Sequence, residues 1–195
     1  FLICVLVVLF KKRGSKSRSR MNTLGIVLSS AYLLVAVGFK YSTYLQIKAS
    51  LDRQQIEYRE ISTRPAPMNI LLWNVNIDTD DHYLIGDYSV FDSSEITFST
   101  YPKNRKASLS LVEKPNVQRL ISISQGWYLL NKKQGRWYFN DLRFGRLPSE
   151  SGEQQFVFSY AIDEIGGKVY ATEVPKSPAD ARMLLKSLWE RMKGN

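Results

Sequence analysis

Histidine and cysteine are nearly absent from this chain, with His82 and Cys4 the only one of each. Cys4 lies inside an N-terminal apolar run, so the sequence offers neither a disulfide framework nor a Cys/His zinc site. A Cys–His nucleophilic pair is excluded as well. Ser124-Gln125-Gly126 lacks the G-x-S-x-G turn that presents a serine nucleophile. No glycine-rich phosphate loop is present, because Gly166-Gly167 sits between two strand-like runs and reads as a tight turn. The one histidine follows Asp78-Thr79-Asp80-Asp81, which lacks the glycine and distal glutamate of an EF-hand and reads as a solvated hairpin tip.

Acidic side chains are missing from the first 51 residues, and this absence is the most informative. Lys11, Lys12, Arg13, Lys16, Arg18 and Arg20 crowd one short stretch there without a counter-charge. From Tyr41 onward the chain has 20 basic against 18 acidic residues, so the net charge of +9 belongs to the N-terminal end. A basic arm for nucleic acid is one reading of that stretch, and anionic lipid headgroups are another. The placement beside apolar runs favours the membrane, and no nucleic-acid partner is expected.

What is present between the charges is Thr23–Phe39, TLGIVLSSAYLLVAVGF, with no charge and no proline. At ~1.5 Å per residue it spans about 25 Å, and Asn22 and Lys40–Tyr44 extend it towards the roughly 30 Å of a bilayer core. The sequence predicts a transmembrane helix over 22–44. Residues 1–10, FLICVLVVLF, reach only about 15 Å as helix. They read as the C-terminal half of a preceding transmembrane helix, with a short buried strand as the alternative. Residues 11–21 then form a basic cytoplasmic loop, which directs the remaining chain to the extracytoplasmic side.

Helical character continues through a stalk at 45–62, where Tyr44, Ile47, Leu51, Gln54 or Gln55 and Tyr58 share a face. An amphipathic helix lying on the membrane is the alternative there. Residues 63–195 are expected to form an extracytoplasmic α+β domain: an antiparallel β-meander of about six strands, covered on one face by helices. Hairpins are predicted around Thr79–Asp81, Lys132–Gly135 and Gly166-Gly167, and one or two short helices around Pro115. A terminal helix is predicted with Ser177 as cap and Pro178 at its first position.

Chemistry is harder to read. Asp87, Asp92 and Asp141 supply carboxylates for acid–base work, but nothing in their spacing brings them together. Two stretches exceed what a simple core requires: Pro65 to Trp73, and Asp141-Leu142-Arg143-Phe144-Gly145. In the second, Asp141 and Arg143 fall on one strand face before a glycine. They read either as an ion pair and a turn or as a polar patch for a ligand or a membrane partner.

These stretches carry a resemblance. Pro65, Pro67, Asn69 and Trp73 come first, followed by Asp81, Tyr83, Gly86, Tyr88, Ser89 and Asp92, and then by Ile96, Phe98, Tyr101 and Pro102. Ser124, Gly126, Tyr128 and Asp141 to Gly145 complete the order. Over residues 22–165 this resembles the C-terminal half of the bacterial inner-membrane-associated, metal-dependent hydrolase-like proteins, the LexA-binding hydrolase family. The resemblance implies a multi-span protein of the bacterial inner (cytoplasmic) membrane, with a divalent metal bound by an N-terminal part not in this chain. The region after the last span would be an accessory domain. It implies partners in membrane lipid and the protein's own N-terminal membrane helices. No catalytic, cofactor-binding or metal role is carried onto a residue here. Pro67, Asn69, Trp73, Asp81, Tyr83, Gly86, Asp92, Gly126, Asp141, Arg143 and Gly145 are motif positions without an assigned role. The alternative is a non-catalytic, membrane-tethered binding or scaffold domain of the cell envelope.

Overall fold

The computed structural model describes residues 2–10, 12, 14–67, 69–148, 154–175 and 180–194, the side chains at 148 and 180–184 excepted. The chain divides into two compact units, Phe1–Tyr44 and Leu45–Asn195. The first holds α1 (Leu2–Leu9) and most of α2 (Lys16–Arg53). With 38 residues, α2 is about 57 Å long. Among the described residues it is the one helix long and apolar enough to cross a membrane. Its side chains at Leu33, Leu34 and Val37 stand 62%, 75% and 65% exposed, an apolar surface that water does not favour. The helix starts earlier than expected, so Lys16–Arg20 are helical and not part of a loop. Ser15 explains this, since its Oγ accepts the Arg18 N–H at 3.2 Å as an N-cap.

The helix also stops earlier than the expected stalk. Gln55 adopts φ +54°, the Ile56 N–H reaches Leu51 O at 3.0 Å, and the Gln55 N–H reaches Asp52 O at 3.2 Å. This pattern is a Schellman termination, and Ile56 and Leu51 supply its hydrophobic contact. Glu60–Pro65 is then strand β1 and not helix or linker. Pro65 ends an edge strand, where its missing N–H costs no ladder bond.

The α+β class holds, with more strands than the expected six and in a different arrangement. β1, β2 (Leu72–Asp78), β3 (His82–Ser89) and β4 (Ser99–Pro102) form one antiparallel sheet in that order. β5 (Tyr128–Lys133), β6 (Arg136–Pro148), β7 (Gln154–Ile165) and β8 (Lys168–Glu173) form a second. All three predicted hairpin turns are present. The short helices around Pro115 are α3 (Leu109–Val112) and α4 (Pro115–Ile123). The expected cap at Ser177-Pro178 lies outside the described residues, and α5 is described from Asp180 to Met192.

The sheets stack face to face, so helices cover two outer faces and not one. Ile47 and Leu51, both fully buried, pack with Val75, Ile77 and Leu84 on the outer face of the first sheet. Tyr83 and Ile85 on its inner face meet Trp127, Leu129, Leu142 and Phe156. The outer face of the second sheet carries Leu130, Phe139, Ile162 and Val169 against Leu111 and Val117 of α3 and α4. Adjacent Leu129 and Leu130 thus enter different cores, as a strand buried on both faces requires. Fully burying one such side chain is worth about 1.5–3 kcal/mol, so the two outer helical layers matter as much as the inner one.

Candidate functional site

Strand β6 does not run evenly. Asp141 pairs with Phe158 of β7, yet the next pairing is Arg146 with Phe156, so Leu142–Gly145 leave the ladder. Each residue of this excursion has a place. Leu142 is fully buried in the inter-sheet core and its carbonyl accepts Asn76 Nδ2 at 2.8 Å. Arg143 folds back on Asp141, Nη2 to Oδ2 at 2.7 Å and Nε to Oδ1 at 3.0 Å. Asp141 also caps the Arg143 N–H at 3.0 Å, and its hydrogen bonds raise the Arg143 guanidinium above its ordinary value. Phe144 turns outward, edge-on to Phe158 at 4.8 Å. Gly145 takes φ +76°, and a Cβ there would lie 2.4 Å from Asn74 Oδ1. Only glycine fits that backbone at that distance.

Beyond the excursion a groove of about 430 Å³ opens between the sheets and α5. That volume lies within the roughly 300–1,000 Å³ of small-molecule sites. Pro67, Leu72, Phe98, Phe144, Leu147, Val157 and Leu188 contribute apolar wall; Asn74, Asp87, Arg146 and Arg191 contribute polar groups. Arg146 is 7% exposed at its side chain. Its Nη1 donates to Tyr101 Oη at 3.0 Å, while Nη2 lies 3.5 Å from Ile85 O and 3.7 Å from Asp87 Oδ2. Its Nε has no hydrogen-bond partner. Such a guanidinium is under-satisfied.

Arg191 has close acceptors by comparison. It grips Asp92 with Nη1 to Oδ1 at 2.6 Å and Nη2 to Oδ2 at 2.7 Å, and Nη2 also reaches the Asp87 carbonyl at 2.5 Å. Asp92 Oδ2 accepts the Ser89 N–H at 2.9 Å, and Ser89 Oγ donates to Met192 O at 2.6 Å. These bonds fasten the end of α5 beside β3.

Asp87 is held above its ordinary carboxylate value by burial, which outweighs the pull of Arg146 and Arg191; the neighbouring Asp92 pushes the same way as burial. Its proton is therefore bound in the fold at pH values where the unfolded chain has lost it. Stability then falls as pH rises from the ordinary value of 3.8 through the raised one. Asp87→Asn removes this loss, so the variant is expected to melt above the parent at neutral pH. The two melting curves should converge below the ordinary carboxylate range. Thermal melts from pH 3 to 8 check this, and a lower-melting variant at neutral pH would refute it.

Most motif residues hold turns, glycine contacts and core packing and do not line the groove. Pro67 lines it. Asn69 shapes the adjoining turn, accepting the Leu71 and Leu72 N–H groups at 3.0 and 2.7 Å. Trp73 is buried, its Nε1 donating to Ile70 O at 3.0 Å. Asp81 is exposed at a hairpin turn, where its carbonyl accepts the Lys103 N–H at 2.9 Å. Tyr83 is buried under Lys103 Nζ at 4.9 Å from the ring, and burial, helped by Asp78, pushes its hydroxyl up to about 12. Lys103 also forms an ion pair with Asp78. At Gly86 a Cβ would meet the Thr97 carbonyl at 2.7 Å, so this glycine lets the segment before β4 lie on β3. Gly126, with φ +81°, completes the α4 termination by donating to Ile121 O at 3.1 Å.

Of the three aspartates considered for acid–base chemistry, Asp92 holds Arg191 through its carboxylate, Asp87 accepts from Arg191 only through its backbone carbonyl, and Asp141 is committed to Arg143. Asp141 and Arg143 form the expected ion pair, followed by Gly145 at φ +76°. Sequence reasoning missed Asn74, Arg146 and Arg191. The signal for Asn74 and Asn76 was their place between Trp73, Val75 and Ile77, on what is now the inter-sheet face. Among the described residues no three of His, Cys, Asp and Glu gather as a metal site would require. Comparisons with protein-family models, curated proteins and solved structures return no match.

Proposed function

We propose that this chain is a membrane-tethered binding domain of the bacterial cell envelope, held by α2 in the inner membrane with residues 45–195 on the extracytoplasmic side. The observation that carries the reading is the groove: an apolar-walled space with an under-satisfied, nearly buried arginine in it. A buried guanidinium short of acceptors costs free energy, and a ligand offering acceptors recovers it. The basic stretch before the apolar segment supports the orientation through the positive-inside tendency. The same stretch suits contact with anionic membrane lipid.

The accessory-domain reading, attached to a metal-dependent hydrolase, rests on motif order alone. Several of the motif residues have structural work that explains their identity: Asn69 shapes a turn, Gly126 terminates α4, Gly86 and Gly145 admit close neighbours, and Asp141 holds Arg143. Chelator-sensitive hydrolysis by the membrane-extracted protein, lost on deleting 45–195, would favour it over the binding reading.

The test is co-purification. The full chain is extracted from membranes, denatured, and its bound small molecules are compared by mass spectrometry with those of Leu188→Trp, which fills the groove from α5. A species stoichiometric with the parent and absent from the variant is expected. Identical profiles overturn the reading. A phosphatase fused after Asn195 should be active in cells, and an inactive, stably expressed fusion overturns the orientation.

A further inference from the structure

We propose that the groove takes a single-chain amphipathic carboxylate, its alkyl chain along the apolar wall and its head at Arg146. This rests on the binding reading above and adds the ligand class. Three observations lead to it. The first is the wall: Phe98 from the segment before β4, Phe144, Leu147 and Val157 from the second sheet, and Leu188 from α5 present hydrocarbon to one space. Phe144 remains 45% exposed although it sits beside Phe158, so apolar surface is left for a ligand to cover.

The second is the donor. Arg146 Nη2 has its contacts at 3.5 and 3.7 Å, at or past the useful limit of a hydrogen bond. A carboxylate oxygen at ~2.7–2.9 Å from Nη2 gives this guanidinium the close, charged acceptor it lacks. The nearby Arg191 is already gripped by Asp92, which leaves Arg146 as the donor for the ligand head.

The third is the limit on ligand charge. Asp87 lines the same groove, with Oδ2 3.7 Å from Arg146. A monoanion can share the arginine with that carboxylate. A dianionic phosphate head adds a second negative charge against Asp87 and is disfavoured. An ammonium head carries no acceptor for Arg146 and is disfavoured.

The experiment is isothermal titration of the full chain in phosphatidylcholine nanodiscs, with empty discs subtracted. The probes are decanoate, decanol, decylammonium and decyl phosphate. Decanoate is expected to saturate at one per chain, with decanol and decyl phosphate at least tenfold weaker and decylammonium indistinguishable from empty discs. From hexanoate to decanoate, affinity should rise about fourfold per methylene. Arg146→Gln should lose tenfold to a hundredfold. Because that variant removes a nearly buried charge and risks misfolding, Leu188→Trp is run beside it and should lose binding at the parent's melting temperature.

Decanol or decyl phosphate binding as tightly as decanoate overturns the carboxylate head while leaving a groove that binds. Equal decanoate uptake by parent and Leu188→Trp overturns the site. No uptake above empty discs by any probe overturns the alkyl ligand; the co-purification result, obtained without these probes, then judges the binding reading separately.

Discussion

Gly145→Val is expected to lower the unfolding free energy by about 3 kcal/mol or more, a large part of the ~5–15 kcal/mol that a domain has. Two costs add. A β-branched residue at φ +76° sits in a region L side chains avoid, at roughly 1–3 kcal/mol. Its Cβ also falls 2.4 Å from Asn74 Oδ1, and Asn74 is buried, so one of the two must move. Overpacking of this kind costs about 1–3 kcal/mol. Denaturant midpoints measure the sum. The double variant Asn74→Ala/Gly145→Ala separates the parts, because it relieves the contact and keeps the backbone strain. A Gly145→Val midpoint equal to the parent's would show that the excursion in β6 tolerates a side chain, contrary to its geometry.

Phe139→Ala is expected to cost about 3–5 kcal/mol, as for other fully buried aromatics. The ring is 1% exposed, stacks on Tyr128 at 5.3 Å and 5°, and meets Tyr160 edge-on at 6.4 Å. It joins the second sheet to Leu111 and Val117, so its loss opens a cavity between sheet and helices that neither can fill alone. Phe144, nearly half exposed, is the internal comparison, and its alanine variant should cost far less. Equal losses at the two positions would place the weight of the core elsewhere.

These positions differ in how visible they were from sequence. The hairpins could be read because a short polar or glycine turn lies between strand-like runs in each case, and those signals are local. The outer layers could be read in part, since Ile47 and Leu51 carry helical spacing. The second sheet could not be placed, because nothing local says whether Leu129-Leu130 belongs to a strand buried on one face or two. β1 was hidden by continuity: the face shared by Leu51 and Tyr58 runs on past Arg53, and the Schellman turn at Gln55 uses a residue with no signature for it. The groove was the least legible part. Arg146 and Arg191 lie on a strand and a helix far apart in sequence, and Asp87 joins them only through packing. The Asp141–Gly145 stretch was correctly marked as unusual, yet its purpose depends on Asn74 and Asn76, and no spacing rule links those residues to it.

The strand order has a further consequence for how the domain can assemble. In each sheet every strand pairs with its neighbour in sequence, β1-β2-β3-β4 and β5-β6-β7-β8. Zipping either ladder therefore closes only short loops, whose entropic cost is small and grows slowly with length. The long closure is concentrated in the docking of one ladder on the other. There Asn76 must find the carbonyl of Leu142, 66 positions away, and the groove comes into being only at that step.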